Sequence, residues 1–179
     1  SGKSSVTVKI PVVGLYVNAD DIKRVRGCSD LEAAQEAEQI RNLLLAARKD
    51  FTFETVLSTQ RKLELLRQAK QAGYPIMAVF VLTKDPAVNV RRVRQRAAAG
   101  GHRVPEEKIR SRYQKSLANL AALVRIADRT CVLDNTGELP ELICEVKQDH
   151  VRIRENHYWK KNEILALLAE KHPPVEPAR

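Results

Sequence analysis

Four short apolar runs of β character recur along the chain, at 15–18 (LYVN), 51–55 (FTFET), 76–82 (IMAVFVL) and 131–134 (CVLD), with helical patterns between them. Strands that alternate with helices of more than about ten residues predict βαβ units, because parallel neighbours need a long crossover to connect them. The expectation is an α/β fold, a parallel sheet with helices on both faces. The helices carry their own punctuation. Ser29-Asp30-Leu31-Glu32 is a capping-box signature for a helix running to about Lys49. Ser58 and Thr59 can cap the helix that Gly73 ends, and Asp85-Pro86 supplies an N-cap and a first-turn proline for one running to about Ala99. Pro105-Glu106-Glu107 opens another, expected to end near Asp128. Alternation on both sides of KQDH (147–150) predicts an antiparallel hairpin, followed by a helix through NEILALLAEK, so hairpin and helix together occupy about 141–172.

At 179 residues the chain suits one domain, 1–179, with ample length for a core. A net charge of +9 implies an anionic partner, which could be nucleic acid, nucleotide or a membrane surface. No apolar run approaches a membrane span and no signal peptide is visible. Cys28, Cys131 and Cys144 form neither a metal pattern nor a disulfide framework, which suits a reducing cytoplasm; Cys131 and Cys144 read as core residues.

Four constellations could carry chemistry. The chain opens SGKSS, the second half of a phosphate-binding loop, in which Gly2 permits close backbone approach, Lys3 reaches the phosphates, the Ser4 hydroxyl binds Mg²⁺, and Ser5 stands beside them. The natural protein is then expected to carry a short apolar strand and a Gly-rich stretch before Ser1, the fold's first strand. The run YVNADD puts Asp20 at the C-terminal edge of the sheet, where ligands of open α/β sheets bind. There a carboxylate can orient an attacking hydroxyl or simply cap the next helix. FTFETVLST sets Glu54 at another strand end with hydroxyls at Thr55, Ser58 and Thr59, a set suited to a sugar or other polyol. Finally, residues 91–112 hold eight basic and two acidic residues. Arg92 and Arg96 share a helix face, Gly100-Gly101 breaks that helix, and Pro105 starts the next. Two arginine-bearing helices around a flexible loop suit a lid over phosphates, with His102 in the loop. A solvated basic face or a nucleic-acid patch is the alternative, although Tyr113 is the one aromatic of residues 89–116 for stacking on bases.

The segments GKSS, NADDIKR, FTFETVLS, AGYPIMAVFVL, RQRAAAGGHRVPEEKIRSRY and ADRTCVLDNTG resemble, in that order, the zeta-toxin-like P-loop kinases. The resemblance covers residues 2 to about 137. It implies a P-loop kinase fold and ATP-dependent phosphorylation of a small molecule, UDP-N-acetylglucosamine at its sugar 3′-hydroxyl in the best-known members. It makes Lys3 and Ser4 the ATP and Mg²⁺ residues, Asp20 the catalytic base and Glu54 the substrate-site acid. Arg92, Arg96, Arg110 and Arg112 become the candidates for embracing the triphosphate. The toxin reading adds an antitoxin protein as a partner, and neither membrane nor nucleic acid is implied. In place of the Gly-Thr-Gly-Arg run that follows the acid in the best-known toxins, this chain has Thr55-Val56-Leu57-Ser58, which leaves the acceptor's identity open.

Overall fold

The computed structural model describes residues 11–101, 103–148 and 150–169, and the chain divides into two units at the Thr55–Val56 junction. In the smaller unit, strand β1 (Leu15–Val17) leads into helices α1 (Ala19–Arg26) and α2 (Asp30–Ala46), and strand β2 (Phe51–Phe53) returns parallel to β1. Tyr16 pairs with Thr52 and Val17 with Phe53. The entry to β1 depends on Gly14. Its φ is +63°, and a Cβ there would stand 1.9 Å from the Asp50 carbonyl oxygen, so no other residue fits without moving the backbone. The expected capping box opens α2, with Ser29 and Glu32 each bonding the other's backbone N–H. Ala33, Ala37 and Arg41 are buried along that helix, one residue per turn on one face.

The larger unit runs α3 (Gln60–Gln71), β3 (Met77–Leu82), α4 (Pro86–Ala98), α5 (Glu106–Ala118), α6 (Leu120–Ile126), β4 (Arg129–Asp134), β5 (Glu141–Lys147), β6 (His150–Ile153) and α7 (Lys161–Leu168). Its sheet has the order β3-β4-β5-β6, with β3 and β4 parallel and the remaining pairs antiparallel. The hairpin forms as expected and also extends the main sheet, so this sheet is mixed rather than wholly parallel. Alternate residues of the central strands supply the core: Phe80 and Leu82, Val132, and Cys144 and Val146. Leu63, Leu120, Leu123, Trp159 and Ile164 pack with them. Cys144 is fully buried, which pushes its thiol up to about 11, whereas Cys131 is only half-buried. Among the described residues no helix is long and apolar enough to cross a membrane.

Two helix expectations need correcting. The segment opened by Pro105 does not run unbroken to Asp128 but divides at Asn119. That buried side chain donates from Nδ2 to the Leu57 carbonyl (2.8 Å) and accepts at Oδ1 from Gln60 Nε2 (3.0 Å). It thereby holds a turn in which Leu57 has a left-handed φ of 55°. Thr59 does occupy the N-cap position of α3, but its side chain makes no capping bond; the first turn is tied to Asn119 through Gln60 instead. Gly73, with φ +86°, follows α3 as expected.

Candidate functional site

Gly2, Lys3, Ser4, Ser5 and His102 lie outside the described residues.

In the smaller unit, the period of two along a strand and the Tyr16–Thr52 register put Tyr16, Asn18, Thr52 and Glu54 on one face. The side chains meet accordingly. Tyr16 donates its phenolic proton to Glu54 Oε1 at 2.8 Å, and Asn18 Nδ2 donates to the Tyr16 oxygen at 3.2 Å. Burial, and then the bond to the Glu54 carboxylate, push the phenol up to about 12, so Tyr16 stays a proton donor at ordinary pH. Thr52 turns to Val13, bonding both its N–H and its carbonyl. On the opposite face the Arg41 guanidinium lies 5.3 Å from the centre of the Phe53 ring, with its pKa lowered by burial.

Asp20 lies in the first turn of α1, at the C-terminal end of β1, and is exposed. It is not the helix cap. Asn18 holds that position, its Oδ1 accepting the Asp20 N–H at 2.9 Å. Asn18 stands one residue earlier in the chain than the helix, where its extended backbone lets the amide reach back to the first-turn donors. Asp21 is engaged by Arg24 at 2.7 Å, whereas the Asp20 carboxylate makes no hydrogen bond or close ion pair among the described residues; its charge acts on Lys23, whose close partner is Asp30 at 2.6 Å. The two neighbouring aspartates therefore differ: one serves its helix, and the other faces solvent at the strand's end. Thr55 follows Glu54 and is half-buried, as is Ser58 at the start of the larger unit.

The four candidate arginines of the larger unit fall into different settings. Arg92 is half-buried and donates to the carbonyls of Asn135 (2.7 Å) and Gly137 (3.0 Å), tying α4 to the loop after β4. Arg110 donates through Nε (3.0 Å) and a terminal nitrogen (2.8 Å) to Glu106, which also receives Arg94 from α4. These two cations hold the Glu106 carboxyl below the usual carboxylate range, Arg110 most strongly. Arg96 and Arg112 are exposed, with no side-chain ion pair or hydrogen bond among the described residues. Gly100-Gly101 ends α4 as expected: Gly101 N–H bonds the Arg96 carbonyl at 2.9 Å, and a Cβ on Gly101 would approach that oxygen to 2.8 Å. Tyr113 donates to the Thr83 carbonyl at 2.8 Å, and burial pushes its phenol up to about 12. Its ring is thus docked against the unit rather than offered to a base.

At the C-terminal edge of β3 and β4 the structure adds a polar group that sequence reasoning did not single out. Buried Asp134 accepts from the Thr136 N–H (3.0 Å), the Thr136 hydroxyl and Asn156 Nδ2 (2.9 Å). The Thr136 oxygen in turn accepts the Lys84 N–H at 2.8 Å, locking the two strand-end loops together. Among the described residues no cluster of three or more His, Cys, Asp or Glu could cage a metal ion.

The model of the zeta toxin family matches residues 16–143, from β1 into β5, a span that takes in Asp20, Glu54 and the whole basic segment. No curated protein and no solved structure matches the chain. A family match over most of the chain, on an α/β fold with acids at the ends of adjacent parallel strands, establishes kinship: the chain belongs to the zeta toxin family, whose members are P-loop kinase-like phosphotransferases.

Proposed function

We propose that this phosphotransferase uses ATP with Mg²⁺ to phosphorylate a hydroxyl of a small polyol-bearing acceptor, of the kind UDP-N-acetylglucosamine represents, within a single domain spanning 1–179. The observation that carries the reading is the contrast between Asp20 and Asp21. A carboxylate in a helix's first turn that serves neither as cap nor in an ion pair can meet an acceptor hydroxyl, orient it and take its proton. Glu54, with Thr55, would supply hydrogen-bonding groups for the acceptor's other hydroxyls.

Lys3 would neutralise phosphate charge, and the backbone of Gly2 and Ser5 would line the loop. Mg²⁺, when bound, would withdraw charge from the phosphates. A hydroxyl oxygen is a hard donor of the kind this ion takes, so the Ser4 side chain would hold it. Arg96 and Arg112 are the arginines best supported for the triphosphate, on a lid of residues 91–112; Arg92 and Arg110 can join only by sharing or leaving their present bonds. The same reading brings a cytoplasmic setting and an antitoxin protein as regulating partner.

Nucleic-acid binding is the competing reading of the basic segment, and the docked Tyr113 ring weighs against it. Incubating the full chain with labelled ATP, Mg²⁺ and a panel of metabolites that includes UDP-N-acetylglucosamine tests the proposal. Saturable, Mg²⁺-dependent transfer to a sugar nucleotide is expected. Absence of any transfer, together with nucleic-acid affinity that falls steeply with salt, would favour the competing reading.

A further inference from the structure

Asn18 stands between the two candidate acids. Its Oδ1 accepts the Asp20 N–H at 2.9 Å, and its Nδ2 donates to Tyr16 at 3.2 Å. Tyr16 passes the connection on to Glu54 Oε1 at 2.8 Å. One run of hydrogen bonds therefore joins the backbone of Asp20, beyond the end of β1, to the carboxylate of Glu54, beyond the end of β2. All four residues belong to the smaller unit. Packing does not demand a phenol at position 16, since phenylalanine has the same ring and a similar preference for strands. What the hydroxyl adds is its pair of bonds, to Asn18 and Glu54.

We propose that Tyr16 and Asn18 are positioning residues that hold Glu54 in register with Asp20, so that a polyol bound by Glu54 presents one hydroxyl to Asp20. The inference rests on the roles proposed above for Asp20 and Glu54. A glutamate side chain turns about several bonds, and a tether to its carboxylate removes that freedom before the acceptor arrives. Phosphoryl transfer depends on the placement of the attacking hydroxyl, so a loosened Glu54 should weaken acceptor use and leave ATP use alone.

Steady-state kinetics with UDP-N-acetylglucosamine as the acceptor probe test this on the wild type, Tyr16→Phe, Glu54→Gln and the double variant, with thermal melting of each. Tyr16→Phe should raise the acceptor KM about tenfold, the scale of one hydrogen bond to a charged group, with the KM for ATP unchanged. In the Glu54→Gln background the same change should add little, because the partner carboxylate has already gone. Asn18→Ser keeps a capping oxygen but deletes the donor to Tyr16, and should give a smaller rise in the same parameter. An unchanged acceptor KM in Tyr16→Phe, equal rises for acceptor and ATP, or full additivity with Glu54→Gln would each overturn the positioning role while leaving the kinase reading intact. A folded wild-type chain that does not turn over UDP-N-acetylglucosamine would overturn the acceptor reading, and this role with it.

Discussion

Tyr16 and Glu54 are separated by thirty-eight positions in the sequence and by 2.8 Å in the structure. Glu54 was singled out as a candidate because it follows an apolar run directly and lies too early to cap the next helix. Tyr16 was not, because its role depends on strand register, which pairs it with Thr52 and so places it beside a residue two positions further on. The alternation Tyr16, Asn18 in one strand and Thr52, Glu54 in the other was the available signal; it becomes decisive only once β1 and β2 are known to be neighbours. The bond also has a titration consequence. The folded state raises the Tyr16 pKa from its ordinary value near 10 to about 12. Its contribution to stability is therefore complete below about pH 10 and is lost as the pH rises through about 12. Ultraviolet titration of the folded chain should show phenols ionising near pH 12, and Tyr16→Phe should remove one of them. An identical alkaline limb in wild type and variant would contradict the assignment.

At the scale of elements, the caps and strands were mostly written in local sequence: the Ser29 box, the Asp85-Pro86 start and the hairpin all form where their residues indicated. Failures came where a distant partner decided. The helix from Pro105 divides because Asn119 reaches the Leu57 carbonyl, a contact sixty-two residues away that no local pattern encodes. Asn119→Ala should cost about 2 kcal/mol in denaturant unfolding, since it unties the left-handed turn at Leu57 and removes the acceptor for Gln60. The arginines divide in the same manner. Arg92→Ala leaves two carbonyls without their donor and should lower the melting temperature, whereas Arg96→Ala and Arg112→Ala should leave melting unchanged and raise the KM for ATP. The reverse pattern would reassign the lid, with Arg92 meeting the phosphates and the exposed pair serving only solubility.

At the scale of the molecule, the excess of positive charge is distributed unevenly. Several cations are tied to named acids, among them Lys70 to Asp128, Lys84 to Glu163 and Arg129 to Glu145, while Arg96 and Arg112 stand apart in the basic segment. Net charge alone could not make this distinction, which depends on which side chains the fold brings together. Asp128 gives the acid side of the stability profile a specific origin. The Ile76 N–H, and then Lys70, hold its carboxyl below the usual range, so its contribution is present above about pH 4 and disappears as the pH falls through that depressed value. The urea midpoint should fall as the pH drops through this window in the wild type and fall less in Asp128→Asn; equal falls in both would contradict the assignment.

The central claim is that Asp20 meets the acceptor while Asp21 serves its helix, and the two isosteric variants measured side by side test it most directly. Turnover and ATP binding of the full chain would be determined for Asp20→Asn and Asp21→Asn with the best acceptor from the metabolite panel. Asp20→Asn should lower turnover by about a hundredfold or more, the scale of a general-base contribution, with ATP affinity largely unchanged, while Asp21→Asn stays near wild type. A sensitive Asp21 beside a tolerant Asp20, or wild-type turnover in both variants, would contradict the account.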